Sequence, residues 1–214
     1  MKSHKPILSD VIVAHFDRAL KTLLPHPQDN LAAVPGSQTP ESDLTDQQRQ
    51  HVAGLMRINH TGEVCAQGLY QGQALTASLT HVYQSMETAA DEEIAHLMWC
   101  DTRLKQLEAR PSLMNSLWYA MSYSMGALAG LTGDQYSLGF VAATEEKVCE
   151  HLERHLEDLP EGDHKTRLIL QQMLEDEARH ATQAIAAGGK ALPEPIKALM
   201  AQVARVMTTI SYRL

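Results

Sequence analysis

Two short stretches of the chain carry a glutamate three residues ahead of a histidine: Glu93 with His96 in DEEIAHL, and Glu177 with His180 in EDEARHA. On a helix, positions i and i+3 share one face a turn apart, so each pair can offer a carboxylate and an imidazole to the same ion. A third copy, Glu161 with His164, has Gly162 between its members and follows Pro160, so it cannot share a regular helix face. Upstream of the two intact copies stand two more glutamates at matching distances: Glu63 lies thirty residues before Glu93, and Glu145 lies thirty-two before Glu177.

That spacing dictates geometry. To bring two glutamates to one depth on antiparallel helices, the chain must run out about 13 residues, turn and return, about 20 Å each way at 1.5 Å per residue. The midpoints fall in TASLT and LPEGD, both turn chemistry. Four helices then supply four carboxylates and two imidazoles, the donor set of ferritin-like di-iron or di-manganese carboxylate bundles. Oxygen-rich donors with a few imidazoles suit iron or manganese better than zinc. Two dications held close together repel unless anions lie between them, so Glu93 and Glu177 are expected to bridge and Glu63 and Glu145 to be terminal ligands. His151, six residues after Glu145 and near the same face, is a candidate to support a ligand from behind, with a surface position as its alternative. Glu92, Glu146 and Asp176 adjoin ligands and are read as solvated or as supporting groups.

The elements that must position these groups are helical. Thr45 with Gln48 forms a capping signature ahead of an apolar pattern through Val52, Leu55, Met56, Leu69 and Leu75. Gly54, Gly62, Gly68 and Gly72 each weaken that helix by about 1 kcal/mol relative to alanine, which packing must offset. Further helices are expected over about 82–109, 134–158 and 164–187, and an amphipathic one after Pro193 and Pro195. Nothing alternates with period two, so the fold class is all-α: a ferritin-like four-helix bundle with additional membrane-facing and C-terminal helices. Residues 25–48 hold four prolines and read as a linker, which divides the chain into a segment 1–47 and a catalytic domain 48–214.

Composition narrows the function classes. A net charge of −8 and the lack of any dense Lys/Arg cluster argue against nucleic acid as a partner. Cys65, Cys100 and Cys149 are odd in number and widely spaced, which suits reduced thiols rather than a disulfide scaffold. The N-terminal apolar run is broken by His15 and Asp17 and does not read as a signal peptide. Residues 113–131, LMNSLWYAMSYSMGALAGL, carry no charge and approach the ~20 residues a bilayer span needs. The serines, the glycines and the amphipathic spacing of Trp118, Tyr119 and Tyr123 favour insertion into a membrane surface over a span.

The motifs RINHTGEVCAQGLYQGQAL, DEEIAHL, ATEEKVCEHL, EDEARHA and the terminal RVMTTISYRL together resemble the 3-demethoxyubiquinol 3-hydroxylase (demethoxyubiquinone monooxygenase) family in its bacterial form, from about residue 48 to the end. The resemblance implies two iron (Fe) ions per chain held by Glu63, Glu93, His96, Glu145, Glu177 and His180. It implies O2-dependent hydroxylation of a demethoxyubiquinol ring in ubiquinone biosynthesis, with NADH as the ultimate electron donor. It also implies peripheral attachment to the cytoplasmic side of the inner (plasma) membrane, and a homo-oligomer or a ubiquinone-biosynthesis complex as the assembly. A di-iron quinol oxidase and a ferritin-like iron-binding protein are the alternatives.

Overall fold

The computed structural model describes residues 8–24 and 34–214. Among these the chain forms helices and no strand: α1 (Leu8–Leu23), α2 (Asp46–Thr76), α3 (Thr80–Gln106), α4 (Asn115–Leu131), α5 (Asp134–Asp158), α6 (His164–Ala186) and α7 (Glu194–Ser211). The expected turns are where the spacing put them, between α2 and α3 and between α5 and α6. Thr45 caps α2 through a reciprocal pair of bonds with Gln48: its Oγ1 accepts from the Gln48 amide at 3.3 Å, and Gln48 Oε1 accepts from the Thr45 amide at 3.0 Å. Asp134, at the start of α5, fastens the first turn by accepting from the amides of Ser78 and Leu79 at 3.0 and 2.9 Å. It thereby joins the two hairpins at one end of the bundle.

Hairpins α2/α3 and α5/α6 face each other around two separate apolar cores. One gathers Val52, Met56, Leu104, Leu152, Ile169 and Met173; the other gathers Tyr70, Val82, Met86, Leu138, Val141 and Ala184. In every one of the four helices the acidic residues at 63, 93, 145 and 177 lie between the segments that feed these two cores. The charged level is thus sealed above and below by apolar packing, and this holds its groups away from water.

Helix α4 lies along α2. Two of the four glycines of α2 make the contact: a Cβ at Gly68 or Gly72 would meet the backbone of Tyr119 or Tyr123, and a Cβ at Gly126 would meet that of Leu69. Close backbone approach offsets the lost helix propensity. This contact also decides which way α4 faces. Trp118 and Tyr119 point inward and are buried, whereas Leu117, Met121, Leu128 and Leu131 face outward. No described helix is long and apolar enough to cross a membrane.

The N-terminal segment contributes more than the sequence suggested. Helix α1 was not anticipated; it packs Ala19 and Leu23 against Val64, Leu97 and Tyr119, and His15 meets Tyr123. Residues 25–33 of the expected linker lie outside the described residues, but 34–45 are fastened to the bundle through buried Val34 and Leu44. Glu41 reaches the fully buried Arg103 at 2.8 Å, which also holds Asp163 at 3.0 Å. Arg103 therefore ties this segment to α3 and to the start of α6.

His155 gives the fold a pH dependence. It is buried near the end of α5, and its Nδ1 lies 2.9 Å from Asn59 Oδ1 on α2. Burial, with the nearby charges of His151, Arg154 and His51, pulls its pKa down to about 4. Because the unfolded chain then binds the proton more readily, this contribution is present above about pH 6.5 and is lost as pH falls through about 4. Urea melts at pH 7.5 and 5 should show His155→Gln losing about 2 kcal/mol less than the parent on acidification.

Candidate metal centre

Each of the four bundle helices turns one acidic position inward at the same level. Glu63 comes from α2, Glu93 and His96 from α3, Glu145 from α5, and Glu177 and His180 from α6, and all six are buried. Ligand atoms of Glu63, Glu93, His96 and Glu177 lie within 4.8 Å of one another. The two central carboxylates each face both histidines with separate oxygens. Glu93 turns Oε2 to His96 Nδ1 at 3.0 Å and Oε1 to His180 Nδ1 at 3.0 Å; Glu177 turns Oε1 to His96 Nδ1 at 3.0 Å and Oε2 to His180 Nδ1 at 3.4 Å. Glu63 lies on the His96 side, 3.9 Å from its Nδ1. Glu145 interacts with Glu177 and His180 on the other side and accepts a hydrogen bond from the buried Tyr70 hydroxyl. The arrangement is close to two-fold, one terminal glutamate and one histidine flanking each side of a central carboxylate pair.

Charge crowding marks the cluster as a cation site. Burial, then the neighbouring Glu93 and Glu177, push Glu63 well above the usual carboxylate range, and burial with Glu177 does the same to Glu145. Burial alone would lower the histidines, but hydrogen bonding to Glu177 and Glu93 lifts His96 to about 12 and His180 to about 11. Those same imidazoles outweigh desolvation at Glu93 and hold it far below its normal range. Four carboxylates are buried here against only two imidazoles, an excess of anionic oxygens over the donors that reach them. A buried anionic oxygen left unpaired is costly unless a cation meets it. The residues present therefore fit a metal, and the hard oxygen-rich set fits iron or manganese.

Two residues next to members of the cluster have a role the spacing alone did not settle. Asp176, from α6, holds Nε2 of His96 on α3 at 3.2 Å, and Glu92, from α3, holds Nε2 of His180 on α6 at 2.6 Å. Each carboxylate fixes the far nitrogen of the opposite helix's imidazole, so that Nδ1 turns to the centre. The signal was in the sequence, as an acid directly before Glu93 and again before Glu177. Tyr70 carried no such signal. His151 sits on the outer part of α5, where its Nδ1 pairs with Arg154 at 3.0 Å; among the described residues it makes no hydrogen bond to the six. His164, the decoy, is exposed at the start of α6.

Comparison with known proteins bears directly on this cluster. Residues 50–211, which span all six, match the family model described as "Ubiquinone biosynthesis protein COQ7". The chain belongs to the COQ7 family. A curated COQ7-like relative in Stutzerimonas stutzeri (strain A1501), named 3-demethoxyubiquinol 3-hydroxylase, is 54% identical over 206 residues, covering 96% of each chain. A protein of the same name in Pseudomonas putida (strain GB-1) is 53% identical over 205 residues, covering 96% of this chain and 95% of the relative. Another of that name in Ectopseudomonas mendocina (strain ymp) is 51% identical over 213 residues, 100% of this chain and 98% of its own. The likeness therefore includes the N-terminal segment and α1, for which the motifs gave no match.

Proposed function

We propose that this COQ7-family chain is a monooxygenase that hydroxylates the ring of a demethoxyubiquinol with O2, using two iron ions held by Glu63, Glu93, His96, Glu145, Glu177 and His180. The observation that carries the reading is the pair of central carboxylates, each aimed at both histidines, in a chain about half identical to proteins named for that reaction. An iron pair held there supplies electrons to O2 and Lewis acidity.

The chain supplies the rest. Glu93 and Glu177 set the distance between the two sides, Asp176 and Glu92 keep the imidazoles pointing inward, and Tyr70 holds Glu145. A cavity of about 230 Å³ opens between α3 and α6 beside Tyr70 and His180, with Met86, Ala89, Val141 and Ala184 on its apolar walls. It offers the substrate ring a seat beside the centre, with Thr88, Glu92 and Gln183 as its polar lining, while a polyprenyl tail leads outward. The balance is one O2, two electrons originating from NADH and two protons, giving one ring hydroxyl and one water. Turnover with oxygen-18 gas should put one heavy oxygen in the new hydroxyl. Label arriving from water, or quinol consumption without a hydroxylated ring, would overturn the assignment in favour of a quinol oxidase.

The substrate's tail places the reaction at a membrane, on this reading the cytoplasmic face of the inner (plasma) membrane. Supporting it, α4 exposes Leu117, Met121, Leu128 and Leu131, and α1, lying beside it, exposes Val13, Phe16 and Leu20. An amphipathic layer of this kind seats in a bilayer surface without spanning it. Leu117→Asp with Leu128→Asp should release the protein from vesicles in a flotation assay while its metal content stays unchanged. Trp118 is the wrong residue for that test, because it packs inward on α2.

A further inference from the structure

At the opposite end of α2 from the α2/α3 turn, three arginines meet. Arg49 and Arg57 on α2 and Arg110, just before α4, line one groove of about 680 Å³, together with Gln50, Ala53 and Glu108. In a chain of net charge −8, several cations elsewhere are paired with carboxylates, Arg103 with Glu41 and Asp163, Arg179 with Asp176, and Lys105 with Asp101, while scattered ones such as Arg154 and Arg167 bond to a histidine or to main-chain carbonyls. Among the described residues, none of the three groove arginines has an ion-pair partner, and Glu108 is joined to none of them. Their positive charge is uncompensated.

Arg57 is also held in place. Its Nε donates to the Arg110 carbonyl at 2.9 Å and its Nη1 to the Tyr212 carbonyl at 2.7 Å, so the guanidinium is fixed in the groove wall by the α3–α4 turn and the C-terminal tail. Backbone carbonyls neutralise nothing, so the charge is preorganised and the fork's remaining N–H groups are free to bind. Burial and the neighbouring Arg110 both disfavour its charged form, as befits a site awaiting an anion. The groove stands at the rim of the apolar surface. Leu113, three residues beyond Arg110, and Leu214 are both exposed and are joined by a backbone bond of 3.0 Å.

We infer that Arg49, Arg57 and Arg110 form a phosphate-binding site, a second ligand site separate from the metal centre. Three guanidiniums lining one groove without an ion-pair partner match the charge of a phosphate group, and each offers the N–H donors that a phosphate accepts from. The rim position places them at the depth of lipid headgroups when the apolar face is seated, and a soluble phosphate ester would present the same chemistry. The inference needs neither iron nor a particular quinol.

The full-length protein would be titrated calorimetrically with inorganic pyrophosphate, and floated with vesicles of phosphatidylcholine alone or mixed with phosphatidylglycerol. Arg49→Gln with Arg110→Gln removes two charges whose side chains make no hydrogen bond or ion pair among the described residues, and Lys147→Gln with Arg154→Gln removes two from the outer face of α5 as a control. The groove pair should weaken binding about thirtyfold, and the control pair no more than about twofold. Pyrophosphate binding that the groove pair abolishes identifies a soluble phosphate ligand; a groove-dependent preference for phosphatidylglycerol without pyrophosphate binding identifies the headgroup. If the parent protein binds neither, or if the control pair loses as much as the groove pair, there is no site and the inference fails. Melting curves of both pairs, unchanged from the parent, separate these outcomes from unfolding.

Discussion

Glu177→Ala should keep the bundle folded, lose most of its iron, and lower hydroxylation about a thousandfold or more. Glu177 is buried and spends both oxygens toward the centre, one on each histidine, so its removal takes away an anion that both halves of the site share. The metal-free fold should not suffer. With Glu177 gone, Glu63 and Glu145 each lose a carboxylate neighbour that now pushes their protonation upward. Melting of the metal-free variant should therefore stay close to that of the metal-free parent, the relief of repulsion offsetting the lost bonds to His96 and His180, while iron analysis falls well below two per chain. Loading the parent should also release protons, about one each from His96 and His180 at neutral pH, with any held on Glu63 and Glu145 adding to that number. Anaerobic titration with ferrous iron in two buffers of different ionisation enthalpy measures that number. Because protons compete for the same atoms, affinity should fall as pH falls, and His164→Ala, at an exposed position, should change none of this.

Much of this site was legible because helical geometry is arithmetic. Thirty residues between Glu63 and Glu93, and thirty-two between Glu145 and Glu177, leave one way to meet at a common depth, and both turns are where that requires. Composition alone could not show how the histidines are aimed. Asp176 and Glu92 act across the gap between α3 and α6, a relation between helices distant in sequence, and Tyr70 reaches Glu145 across 75 positions. The third helix was expected to run to about 109 because Pro111 follows, but it ends at Gln106, where the amides of Leu107 and Ala109 turn back onto the Arg103 and Leu104 carbonyls. Helix α1 escaped for a different reason. Its apolar residues do gather on one side of a helix, but His15 and Asp17 break the run when it is read for continuity, and part of that side is exposed rather than packed on the core. The tryptophan on α4 was ambiguous in the same way, and the glycines of α2 resolved it by fixing the side on which the two backbones touch.

Those glycines give two substitutions of the same chemistry, in the same helix, with opposite expected signs. Alanine favours a helix interior over glycine by about 1 kcal/mol, and it lowers the entropy of the unfolded chain. At Gly62 nothing lies within 4 Å of the added Cβ, so Gly62→Ala should stabilise the metal-free protein by about 0.5–1 kcal/mol. At Gly72 the Cβ would stand 2.1 Å from the Tyr123 carbonyl oxygen and 2.8 Å from the Ala127 amide nitrogen, both main-chain atoms that no rotamer change can move aside. Helix α4 would have to withdraw along its length, opening the packing around Trp118 and Tyr119, and the cost should reach about 3 kcal/mol despite the gain in propensity. Denaturant melts of the two variants test both signs together. The groups around Gly72 belong to α4 and not to the metal centre, so Gly72→Ala should disturb vesicle binding at temperatures where iron remains bound. Equal stabilisation by both alanines would mean that α4 does not press its backbone onto α2, and the outward face assigned to Leu117 and Leu128 would fall with that contact.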